Sequence, residues 1–243
     1  MVSQLDIAPT IARVLGIEVS THGRPIEGVE CWGCRDVILI IADSYGWSLY
    51  FNFLTDTKTI SCLVSTGRLY AVRSISSRTS PAIASILTGL PPKQHKITDT
   101  ERARCSTLKS IVERASEAGL KTAVIMEAGG AATFRGLVDI ERGVSKSLEP
   151  ALFDEEICRE TISALSLFPR LTVCHFLGLD RAAHDGAGID VMKERALAID
   201  SHVRAICKAA RQKTLLIFCS DHPPHAGPFK GMGKAVPLIL ARL

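Results

Sequence analysis

DVILIIA, residues 36–42, is an unbroken apolar run after its first residue, and it stops at Asp43. The run has strand length, and no polar residue alternates with the apolar ones, so a strand here has to be covered on both faces. Further runs that read as strands lie at 69–75 (LYAVRSI), 121–126 (KTAVIM), 171–179 (LTVCHFLGL), 214–220 (TLLIFCS) and 236–241 (VPLILA). Segments of helical period separate several of them. Ile7, Ile11, Val14 and Leu15 share one face, behind a cap at Asp6 and ahead of Gly16. Residues 108–118 and 155–167 read as helices, and a long one carries Met192, Ala196, Ile199, Val203 and Ile206 on a single stripe. Buried strands alternating with amphipathic helices predict an α/β fold, with a mostly parallel central sheet flanked by helices on both faces. The length suits a single domain over 1–243, with room for a minimal cap only within 128–150.

Composition narrows the function classes. Apolar residues make up 47% and charged residues 22% of the chain, as in ordinary globular domains. The net charge of +4 comes without a long basic block, which gives nucleic acid binding no support. No apolar run approaches a membrane span, and Asp6 and Arg13 interrupt the N-terminal apolar segment, so the expectation is a cytoplasmic protein. Of the eight cysteines, Cys31 and Cys34 form the one close pair. No second such pair completes a zinc site, and a structural role is favoured.

The ends of the strands carry the chemistry. In a parallel sheet, ligands bind beyond the carboxyl ends of the strands. Asp43, Asp180 and Asp221 each follow an apolar run, and the 69–75 strand delivers the chain to Thr79. Ser80 reads as the cap and Pro81 as the first residue of a helix containing Ile83, Ile86 and Leu87 and stopped by Gly89. Thr79 then stands just outside a helix N-terminus, where an anion is favoured. Two histidines accompany the acids, as Asp180-x-x-x-His184 and Asp221-His222. Carboxylates crowded at one edge repel one another unless a cation lies between them, and a two-metal site accounts for the set.

With these segments in view, the chain resembles the alkaline phosphatase superfamily, above all its nucleotide pyrophosphatase/phosphodiesterase-like branch. ILIIADSYG, SRTSPAIASILTGLPPKQH, HFLGLDRAAHDGAG, CSDHPPH and AVPLIL carry the resemblance and cover most of the chain. It implies Thr79 as nucleophile and as a ligand of one metal, together with Asp43, Asp221 and His222. It implies Asp180, His184 and a third histidine around the other. The family's His-Gly pair before the VP strand is replaced here by Gly231-Met232-Gly233-Lys234, which leaves His225 as the candidate. His22, His95, His175 and His202 are read as non-ligands. Arg78 and Lys234 are candidates for holding phosphate oxygens, against the commoner reading as solvated charges.

The resemblance also implies a rearranged order. Residues 3–16 (SQLDIAPTIARVLG) resemble the helix that follows the VP strand in the family, so the chain reads as circularly permuted, with Met1 beside Leu243. The expected activity is a metal-dependent phosphohydrolase, a phosphomonoesterase or phosphodiesterase acting through a phospho-threonine. Mixed Asp/His ligation suits two Zn²⁺ ions, with Mn²⁺ the alternative. The expected partner is a small phosphorylated substrate, with no nucleic acid and no membrane; the oligomeric state stays open. The alternatives are a phosphomutase or other phosphoryl transferase, or a non-catalytic relative that binds metal or a phosphorylated ligand.

Overall fold

The computed structural model describes residues 1–243. Seven strands form one sheet: β1 (Asp36–Ala42), β2 (Arg68–Arg73), β3 (Thr122–Glu127), β4 (Ile140–Val144), β5 (Leu171–Phe176), β6 (Thr214–Cys219) and β7 (Ala235–Arg242). Their order is β2-β7-β6-β1-β5-β3-β4, so the run that decides the fold is the middle strand. Every residue of β1 is buried. The pairs β1–β5, β1–β6, β3–β4 and β3–β5 are parallel, and only β7 runs against its neighbours. The carboxyl ends of the other strands therefore meet along one edge.

Alternation along β1 sorts its side chains into two cores. Val37, Leu39 and Ile41 join a cluster with helices Ile7–Leu15, Thr79–Thr88 and Ile111–Glu117 on one face. Ile38, Ile40 and Ala42 join a larger cluster on the other face, under helices Trp47–Phe53, Lys58–Thr66, Pro150–Leu165 and Ile189–Ala209. Burial on both faces is why these strands read as continuous apolar runs. No helix is long and apolar enough to cross a membrane.

Several boundaries differ from the sequence expectation. The first helix is entered through a 3-10 turn at Gln4–Asp6, and the cap is Ser3, whose hydroxyl accepts from Leu5 while Asp6 accepts the Ser3 N–H in return. Asp6 is thus the reciprocal partner of a capping box, not the cap. In the helix that begins at Thr79, Arg78 takes the extended cap conformation (φ −129°, ψ 137°), which moves Thr79 into the first turn. The stretch 128–150 holds the edge strand β4 and the short helix Ala128–Ala131 beside it. Its pattern of Glu141 and Arg142 between apolar residues is that of a half-exposed edge, which reads as loop.

Leu243 and the Gln4 side chain lie at opposite ends of β6. Leu243 exchanges backbone hydrogen bonds with Lys213 and Thr214, at the start of β6. The Gln4 side chain bonds the carbonyls of Ser220 and Asp221 at the other end of that strand, 2.7 Å each. Six residues of strand separate these points by roughly 20 Å. The Ile7–Leu15 helix shares a core cluster with Val236, Leu238 and Leu240 of β7, but it packs over β1 and against helices Thr79–Thr88 and Ile111–Glu117, not beside the sheet margin. The geometry does not establish a permutation.

Candidate metal centre

The strand register brings the acidic ends together. Ile41 of β1 pairs with His175 on β5 and with Cys219 on β6. Asp43 lies two residues beyond that level on β1, and Asp221 two residues beyond it after β6. Asp43 stays in the ladder, its N–H donating to the Phe176 carbonyl at 2.9 Å. Thr79 arrives from the helix packed on the same face as Val37, Leu39 and Ile41. Asp43 and His222 flank the Thr79 hydroxyl, with Oδ2 and Nε2 each 3.3 Å from Oγ1.

The separations around this point are nearly uniform. His222 Nε2 stands 3.4 Å from Asp43 Oδ1 and 3.3 Å from Asp221 Oδ2, and His175 Nε2 stands 3.4 Å from Asp43 Oδ2. Two donors held tetrahedrally by one ion at about 2.0–2.1 Å are themselves about 3.3 Å apart. The same spacing is long for charge-assisted hydrogen bonds, which fall at about 2.7–2.9 Å. Asp43 Oδ1, Asp221 Oδ2 and His175 Nε2 are buried and have no hydrogen-bond partner. Buried polar atoms normally find partners, so unpartnered ones converging here fit a cation. The His222 ring is oriented for this. Its Nδ1 lies 3.2 Å from the Pro223 carbonyl, which only accepts, so a neutral ring with Nδ1–H leaves the Nε2 lone pair facing the cluster.

Electrostatics without a cation are correspondingly unfavourable. Burial, and then the neighbouring Asp180 charge, pushes the Asp43 carboxyl up to about 7. Burial, and then Asp43, does the same to Asp221, also to about 7. For His222, burial acts to lower the pKa but Asp221 and Asp43 outweigh it, and the net shift is upward. Burial holds His175 below its ordinary value.

Asp180, His184 and His225 form a second group, nearer to solvent. Asp180 and His184 are one turn apart on helix Gly178–His184, with His184 Nε2 3.7 Å from Asp180 Oδ2. His225, from the loop before β7, puts Nε2 2.9 Å from His184 Nε2 and Nδ1 3.9 Å from Asp180 Oδ1. Asp180, His222 and His225 also lie within reach of one ion, so His222 stands between the groups. Ser44 links them as well. It adopts φ 59°, a strained value for a non-glycine residue, donates its hydroxyl to Asp180 Oδ1 at 2.6 Å and its N–H to Asp221 Oδ1 at 3.3 Å.

All seven residues singled out from the sequence thus fall in one place. A cavity of about 530 Å³ opens over Asp43, Thr79, Asp180, His184 and His225, while Asp221 and His222 are wholly buried beneath. Arg78 and Glu127 line this cavity; Lys234 does not. Sequence reasoning missed three contributors. Ser44 and Gln4 lie inside segments quoted for the resemblance but have no role assigned there; Gln4 holds the Ser220–Asp221 backbone and accepts the Ile75 N–H at 2.8 Å, tying β6 to the segment before Thr79. His175, set aside as a strand residue, faces Asp43. The one available signal was a histidine inside an otherwise apolar run.

Against known proteins, the sequence model of the family described as type I phosphodiesterase / nucleotide pyrophosphatase matches residues 37–228. No protein of curated function matches by sequence. Among solved structures, phosphonoacetate hydrolase from Sinorhizobium meliloti is similar with a TM-score of 0.63 and 15% identity, over 85% of this chain and 60% of that one. A protein described as a candidate sulfatase from Bacteroides thetaiotaomicron gives a TM-score of 0.68 at 14% identity, over 86% and 64%. The TAB5 alkaline phosphatase, solved with Mg bound, gives 0.64 at 13%, over 86% and 91%. The chain thus spans less than two thirds of the length of the first two, and at these identities the likeness is one of fold.

Proposed function

The chain belongs to the type I phosphodiesterase / nucleotide pyrophosphatase family, and from that premise we propose that it is a metal-dependent hydrolase of small phosphate esters that works through Thr79. The observation that carries this reading is the set of donor atoms about 3.3 Å apart around the Thr79 hydroxyl, several of them buried and unpartnered. Asp43, Thr79, Asp221 and His222 would hold an inner ion; Asp180, His184 and His225 an outer one. Mixed carboxylate and imidazole donors favour Zn²⁺, with Mn²⁺ as alternative. When bound, two such ions lower the pKa of a coordinated hydroxyl and neutralise charge on attacking and leaving oxygens.

The chain's own groups supply the rest. Thr79 Oγ1 attacks phosphorus and loses its proton, for which Asp43 Oδ2 is the nearest carboxylate acceptor. The bond to the ester oxygen breaks and that oxygen takes up the proton lost by Thr79, so the leaving group departs as the alcohol. Water then attacks the phospho-threonine, releasing phosphate or a monoester and restoring the hydroxyl. Thr79 opens a helix of 10 residues, whose first-turn N–H groups face the anion. Arg78, beside it in the cavity wall, is placed for oxygens that do not transfer. The volume suits a small organic phosphate.

Quenching the protein during turnover of an aryl phosphate mono- or diester tests this. A phosphoryl group should appear on Thr79 by peptide mass spectrometry, and Thr79→Ala should lack both the adduct and turnover. Wild-type hydrolysis with no adduct, together with an unimpaired Thr79→Ala, rejects the covalent route. Recovery of the phosphoryl group on a second alcohol, with no inorganic phosphate, identifies a transferase instead.

A further inference from the structure

We infer that His175 is a fifth donor of the inner ion, joining Asp43, Thr79, Asp221 and His222. This rests on the two-ion reading above and extends it to a residue that the family resemblance leaves out. β5 lies directly beside β1, and alternation puts His175 on the sheet face of Leu171 and Val173, the face on which the helix bearing Thr79 packs. Level with Ile41, it sits where the strands still form a ladder, so the backbone fixes its height relative to Asp43.

The ring is 3% exposed, and its Nε2 has no hydrogen-bond partner. A histidine that served the core alone would satisfy that atom, because a buried nitrogen left unpartnered forfeits the hydrogen bond it makes in water. Nε2 is aimed at Asp43 Oδ2, at 3.4 Å, the spacing found between the other donors of this site. One atom each of His175, Asp43 and Asp221 lie within 4.8 Å of one another, so a single ion can reach all three. Asp43 Oδ1 and Asp221 Oδ2 are likewise buried and unpartnered, so each of the three residues brings an orphaned atom to this point. The inner ion would then be held by side chains from five positions, of which only Thr79 takes part in bond formation.

Cobalt(II) is the probe, because its visible absorption reports the number of donors. Wild type and His175→Ala are titrated with Co²⁺ by equilibrium dialysis and absorption, with His184→Ala as the control that weakens the other ion. The expected result is two Co²⁺ in wild type, an affinity for one ion at least tenfold lower in His175→Ala, and a spectral change different from that of His184→Ala. Unchanged affinity and spectrum in a folded His175→Ala overturn the assignment and leave the two-ion reading standing. No Co²⁺ uptake by wild type overturns both. If His175→Ala does not fold, His175→Gln, which keeps the volume and a polar tip, is read by the same two criteria.

Discussion

The inner and outer donor groups hold the same kinds of side chain in different ways. Asp43, Asp221 and His222 are at most 1% exposed and sit just past the ends of adjacent strands, with Asp43 bonded to the Phe176 carbonyl and the Asp221 carbonyl held by Gln4. The side chains of His184 and His225 are 50% and 41% exposed, and they come from the end of a seven-residue helix and from a loop. The inner group is therefore organised before any ion arrives, and its carboxylates are strained by burial without one. The outer group, exposed and drawn from a short helix and a loop, would have to be gathered by any ion it held. Fixed geometry with a high electrostatic cost, set against loose geometry with a low one, implies unequal affinity and unequal consequences of substitution.

Removal of inner donors should produce the largest effect. Thr79→Ala and Asp43→Ala should each lower turnover of aryl phosphates on the order of 10³-fold or more, since loss of a nucleophile or its activator abolishes most of a hydrolase's rate enhancement. Thr79→Ser keeps the oxygen and should retain measurable turnover. Steady-state rates decide this, and a fully active Thr79→Ala would erase the distinction between the groups.

Outer substitutions come next. His184→Ala and His225→Ala should each weaken one ion by roughly 10–100-fold, the range that disturbing a metal site's support produces, while the inner ion stays. Stepwise chelation followed by metal analysis should show the outer ion leaving first. Simultaneous loss of both ions would break the comparison.

The smallest effect concerns the metal-free protein. The Asp43 and Asp221 carboxyls titrate near 3.8 when unperturbed and are pushed up to about 7 in the fold. A folded-state pKa raised in this way gives stability present below the ordinary value and lost as pH rises through about 7. His222, also shifted upward, has the same sign. His175 and His225, held low, act oppositely, but only as pH falls below their ordinary 6.5. Between pH 6.5 and 8 the chelated protein should thus lose a few degrees of melting temperature, and Asp43→Asn should flatten the slope. Metal loading should reverse the trend, because ions displace the protons more easily as pH rises. A chelated protein whose melting temperature is level across this range would show that the inner carboxylates are not strained.

The sequence was legible wherever one physical requirement dominated. Burial on both faces made β1, β5 and β6 continuous apolar runs, so the ends of β1 and β6, and with them Asp43 and Asp221, were countable along the chain; the 171–179 run overshoots, because β5 stops at Phe176 and Asp180 lies in the first turn of helix Gly178–His184. The edge strand β4 was not, because Glu141 and Arg142 serve a half-exposed margin and mimic a loop. His175 was hidden for a related reason. Strand periodicity assigns its face, but only the pairing of Ile41 with both His175 and Cys219 shows that this face meets Asp43 and Asp221. Ser44 and Gln4 act through backbone and carboxylate contacts made across long sequence separations, and no local pattern encodes such contacts.

The central claim, that ions bound between these strand ends drive phosphate ester hydrolysis, is tested most directly by titrating chelated protein with Zn²⁺ while following bound metal and hydrolysis of an aryl phosphate together. Saturation is expected at two ions per chain, with activity absent from the chelated protein and complete only when the second equivalent is bound. Hydrolysis that persists without metal, or a chain that takes up no Zn²⁺, would contradict it.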